Sequence, residues 1–124
     1  MPGRLRPLPP RQLTELLDRL DGSVRQGAAP ATEDERDAVK HFLAVLEQRH
    51  PGKSVEVRVP PYAAIQCIPG ARHTRGTPPA VVETDGTTWV ALARGQLDFE
   101  TAVRDGRVRA SGERSNLTRL LPLT

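Results

Sequence analysis

Residues 80–112 constrain the fold more tightly than any other stretch, because strand, turn and helix signals follow one another there with almost no intervening chain. Ala80, Val81, Val82, Glu83 and Thr84 read as a strand. Asp85-Gly86 tolerates the positive backbone angles of a tight hairpin turn, and residues 88–93 read as the returning strand. Arg94-Gly95 breaks that strand. Asp98 is placed to cap a short helix over 99–105, with Phe99, Ala102 and Val103 on one face and Gly106 set to end it in a left-handed turn. Residues 107–111 then alternate, Arg107, Arg109 and Ser111 outward and Val108 and Ala110 inward, which is the pattern of a strand with one wet face.

Upstream, Leu13, Leu16, Leu17 and Leu20 recur at helical spacing between Pro10 and Asp21-Gly22, predicting a short amphipathic helix. Residues 22–31 are rich in Gly, Ala and Pro and read as a mobile connection. Thr32 with Glu35 three residues on has the form of a capping box, opening a helix with Val39, Phe42, Leu43 and Leu46 as its apolar stripe and an end near Arg49. Val55, Val57 and Val59 alternate with polar residues in a first strand, and residues 62–68, beyond Pro60-Pro61, give a second. Residues 69–79 predict a long loop carrying Arg72, His73 and Arg75. Near the end of the chain, Ser115 is placed to cap a closing helix with Leu117, Leu120 and Leu121 inward until Pro122. The whole reads as an α+β fold with a five-stranded, largely antiparallel sheet covered by helices.

Composition narrows the function classes. A chain of 124 residues is one core's worth of protein. Aromatic residues are only 3%, so the core must be built from Leu, Val and Ala around Phe42, Tyr62, Trp89 and Phe99. The one cysteine, Cys67, permits no internal disulfide and fits a reducing cytoplasm. Met1 and the residues after it include four prolines and no apolar run, so neither a signal peptide nor an integral membrane contact is expected. The net charge of +3 rests on arginine, yet no stacking aromatics or nucleic-acid motif accompany it, and no nucleic acid is expected as a partner.

Asp85-Gly86, Trp89, Leu92 and Gly95, followed by Ala102-Val103, Gly106, Val108, Gly112 and a Leu-bearing C-terminal segment, resemble the sterol carrier protein family over most of residues 32–123. With Pro60-Pro61-Tyr62 and the loop His73-Thr74-Arg75-Gly76-Thr77, the chain is most similar to the small stand-alone members found in actinobacteria. It is also similar to the C-terminal domain of mycothiol-dependent maleylpyruvate isomerases. The resemblance implies a sterol-carrier-like domain over 32–124, preceded over 1–31 by a Pro-rich tail, a short helix and a linker. It also implies a non-enzymatic lipid-binding or lipid-transport role, with an apolar pocket between sheet and helices. The chain ends in Leu123-Thr124, without a peroxisomal Ser-Lys-Leu signal.

The walls that such a pocket implies are Phe42, Leu43, Leu46, Trp89, Ala91, Phe99, Val103, Leu117, Leu120 and Leu121. A domain this small also needs those residues for its core, since each contributes about 1.5 to 3 kcal/mol when buried. Arg72, His73 and Arg75 have the chemistry to grip an anionic head group at the pocket mouth, or to serve as a solvated loop. Cys67, alone in an apolar strand, reads as a buried small hydrophobe, and His41 and His50 lack a zinc spacing. No metal, cofactor or catalytic residue is expected. Two readings stand: a carrier for a fatty acyl, isoprenoid or sterol-like molecule, and an accessory interaction domain with a filled core. The N-terminal helix is a candidate contact for a second copy or another protein.

Overall fold

The computed structural model describes residues 4–70, 80–112 and 115–124. Helix α1 spans Pro10–Arg25 and α2 spans Thr32–Arg49. Strands β1 (Val55–Val59), β2 (Ala63–Cys67) and β3 (Ala80–Thr84) follow. Helices α3 (Gly86–Ala93) and α4 (Phe99–Arg104) then lead to β4 (Val108–Ser111) and a 3-10 turn at Thr118–Leu120. The described residues thus form an α+β fold with four strands in the order β2-β1-β3-β4, not five.

β1 pairs antiparallel with β2, from Val55 opposite Cys67 to Val59 opposite Ala63. Its other edge pairs in parallel with β3, Val57 opposite Val82, and β3 pairs antiparallel with β4. The sheet is therefore mixed. Alternation in β1 puts Val55, Val57 and Val59 wholly inside while Arg58 faces water beside Glu56, with which it forms an ion pair. In β2, Ala64 and Gln66 are exposed, so that strand too has one wet face.

The missing strand is the expected return of a hairpin. Asp85 does not turn the chain back; its carboxylate accepts from the Thr88 amide at 2.8 Å and from the Thr88 hydroxyl at 3.0 Å, which caps α3. Residues 86–93 then coil, and Trp89, Leu92 and Ala93, at helical spacing, become the buried stripe. Thr, Trp and Val have strand propensity, but packing against α2 overrides it. Gly86 is required by close approach: a Cβ there would lie 2.9 Å from both Glu35 Cδ and Tyr62 Cε2.

Four further expectations change. The first helix continues through Gly22 to Arg25, and left-handed Gly27 (φ +67°) follows its C-cap residue, Gln26. Thr32 lies inside α2 behind Ala31, which makes no side-chain cap, so the Thr32/Glu35 capping box does not form. The closing helix reduces to one 3-10 turn: Asn116, not Ser115, accepts from the Thr118 amide at 2.9 Å, and Pro122 holds Leu121 extended. Leu123 N–H then donates to the Ala93 carbonyl at 2.8 Å, tying the tail to the end of α3. Ala110, expected inward, is exposed at the sheet edge. The short helix at 99–104 does form as read, with Asp98 accepting from the Thr101 amide at 3.0 Å and left-handed Gly106 beyond it.

The main core lies between the sheet and α2, α3 and α4. A smaller cluster joins α1 to the body through Leu16, Leu20 and Ala38, with Leu8, Leu17 and Val90 packed against it.

Candidate functional site

The residues expected as pocket walls divide among three places. Phe42, Leu43, Leu46, Trp89 and Leu117 are at most 1% exposed and, with Leu92, fill the space between sheet and helices. The buried Trp89 Nε1–H finds no acceptor among the described residues. Phe99 and Leu121 line a shallow recess of about 210 Å³ beside Leu92, Leu97 and Pro122, and Leu120 packs on the core margin. Val103 is exposed, over a separate depression next to Phe99 and Ala110. Arg72, His73 and Arg75 lie outside the described residues.

Ala91 belongs to a different feature, an apolar groove of about 320 Å³ between α1 and α3. Helix α1 supplies Leu20, Asp21 and Val24, α3 supplies Thr87, Val90 and Ala91, and Pro30, Glu35, Arg94 and Gln96 complete the rim. Val24 is 75% exposed, an unusual position for a valine on a helix that buries Leu16 and Leu20. The groove exists because α1 continues one turn past Asp21-Gly22, which the Gly at position 22 concealed in the sequence. The available signal was Val24 itself, four residues beyond Leu20 on the same face.

The charged groups at this groove are engaged. Arg94 closes a two-pronged pair on Asp21, Nη1 to Oδ1 at 3.0 Å and Nη2 to Oδ2 at 3.2 Å, and that bond holds the Asp21 carboxyl below its ordinary pKa. Glu35 accepts from the Tyr62 hydroxyl at 2.6 Å and from the Thr87 hydroxyl at 2.7 Å. The Tyr62 phenol is pushed up, first by its bond to Glu35. Two carboxylates against one guanidinium leave the rim formally at −1, so its chemistry suits a neutral or weakly polar molecule better than an anion.

Cys67 is fully buried, as its apolar strand predicted, and burial pushes its thiol up to about 12. No helix of the described residues is long and apolar enough to cross a membrane.

A family model described as bacterial SCP ortholog matches residues 32–123. The chain belongs to that family. The match begins at the first residue of α2 and ends at Leu123, so the bacterial SCP ortholog unit contains the sheet, α2 to α4 and the tied-back tail. Helix α1 and the arm before it stand ahead of the matched region, so one wall of the groove lies outside it. Membership suggests a small-molecule carrier or binding role. No curated protein matches the chain.

Proposed function

We propose that this protein is a non-enzymatic carrier or binding protein for an apolar or weakly amphipathic small molecule, held in the groove between α1 and α3. The observation that carries the reading is the groove itself, lined by Leu20, Val24, Val90 and Ala91 on a member of the bacterial SCP ortholog family. Its volume is at the lower end of ligand pockets, and its apolar floor with a few polar rim groups is their usual composition. A buried tail gains about 0.8 kcal/mol per methylene, so a chain of several carbons reaches useful affinity without an ionic contact.

Native mass spectrometry of the chain purified from its own host reads any retained ligand by mass. Titration with a fluorescent fatty acid and its matching alcohol then locates the site. Val24→Glu places a charge on the groove floor at an exposed position, and it is expected to weaken both probes at least tenfold. Unchanged affinity in the Val24 variant removes the groove from the site. A second reading, an accessory interaction domain, is favoured by the filled space under the helices; absence of both a retained ligand and any probe binding would leave that reading alone.

A further inference from the structure

The sequence Pro7-Leu8-Pro9-Pro10 offers a single backbone N–H, because proline has none, and that one donor is used on a side chain. Leu8 N–H donates to His41 Nδ1 at 2.8 Å. His41 lies on α2, 5% exposed, with its ring edge-on to Phe42 at 4.9 Å. For Nδ1 to accept, the imidazole must be neutral with its proton on Nε2. Leu5 packs against the main core and Leu8 against the Leu16, Leu20 and Ala38 cluster, and α1 starts two residues after Leu8.

We propose that Leu8 and His41 form an acid-sensitive latch that fastens the N-terminal arm, and with it the start of α1, to the body of the protein. Protonation turns Nδ1 from acceptor to donor, so two N–H groups face each other and a charge is placed in a buried site. The bond does not survive that change, and the arm leaves so that water can reach the ring.

The surroundings do not oppose this. The arm carries Arg4 and Arg6, which share a recess with Glu47 of α2; α1 carries Asp18 and Arg19, and Asp37 and Lys40 are the charged residues next to His41 along α2. Arg19 is paired with Asp34 and Asp37 with Arg36. Strand β2 and helix α3, which also pack on α2, carry no charged side chain. Burial pushes the His41 imidazole below its ordinary value, which is about 6.5. The open state therefore binds the proton more readily than the closed one. Closure is complete above about pH 6.5 and is lost as pH falls, the opening constant rising by up to tenfold per pH unit between the two pKa values.

Amide exchange of the full-length chain between pH 7.5 and 5 tests the latch. Protection of the Leu8 amide, corrected for the intrinsic rate, is expected to fall at least tenfold while core amides such as Val57 keep theirs. His41→Gln carries no titrating group, and its Leu8 protection is expected to be independent of pH. In the wild type, the nitrogen–nitrogen coupling across the Leu8–His41 bond is expected at pH 7.5 and is expected to vanish as the imidazole protonates, which needs no folded variant. Constant Leu8 protection in the wild type, an equal loss in His41→Gln, or a coupling that is absent at pH 7.5 or persists in the imidazolium would each overturn the proposal.

Discussion

Glu35 joins three parts of the molecule through one carboxylate. It sits in the first turn of α2, takes the hydroxyl of Tyr62 from the β1–β2 connection, and takes that of Thr87 from the first turn of α3. Replacing Glu35 with Ala should cost about 1–2 kcal/mol in urea denaturation, because two hydroxyls lose a charged acceptor at a partly exposed site. The same variant has a spectroscopic signature. Tyr62 is the chain's one tyrosine, so absorbance near the phenolate band reports it alone, and its titration should move down toward about 10 once the Glu35 bond is gone. In the wild type the raised phenol pKa favours the folded state below about pH 10, and that contribution is lost as the pH rises above it. A Tyr62 titration unchanged by the substitution would mean the bond is not formed in solution.

At the scale of elements, the instructive case is α3. Asp85-Gly86 suits a hairpin turn or a helix start equally, since Asp caps helices as readily as it fills turns. The next seven residues, Thr-Thr-Trp-Val-Ala-Leu-Ala, are a short apolar run whose period does not discriminate strand from helix. As a helix it buries Trp89, Leu92 and Ala93 against α2 in one stripe. Asp85→Ala should then destabilise by about 1 kcal/mol through loss of the cap, and Asp85→Ser should recover most of it. Thermal denaturation checks both, and Ser failing to rescue would remove the capping role. Gly86→Ala should also destabilise, because its Cβ would press on Glu35 and Tyr62 from within the helix.

For the molecule as a whole, the question is how α1 belongs to the rest. Leu16 is 1% exposed, Asp21 is bound by Arg94 of the α3 C-terminus, and Arg19 is paired with Asp34 of α2. These partly exposed ion pairs contribute about 1 kcal/mol each, so the docking rests mainly on the buried leucines. A chain lacking residues 1–31 is expected to fold, because the main core is built from α2 onward, but with a lower melting temperature and without the α1/α3 groove. Its binding of an apolar probe should drop to background if the groove is the site. Failure of the truncated chain to fold would place α1 in the core unit.

Local chemistry made several elements readable in the sequence. The strict alternation of β1, the stripe of α2 to Arg49, the Asp98 cap and Gly106 terminus of α4, and the burial of Cys67 and Trp89 each follow from residue spacing or side-chain character. The family, too, was legible in the 80–112 signature with Pro60-Pro61-Tyr62, and the match over 32–123 bears it out. Elsewhere the deciding term lay far away in the chain. Whether 86–93 coils or extends depended on α2 offering a face for Trp89 and Leu92, and Glu35 left its own helix end because Tyr62 and Thr87 arrived beside it. The parallel β1–β3 pairing required the chain after β2 to pass to the far edge of β1, which no local pattern records. The groove arose the same way: Val24 and Ala91 are 67 positions apart, and only the docking of α1 on the body made them two walls of one space.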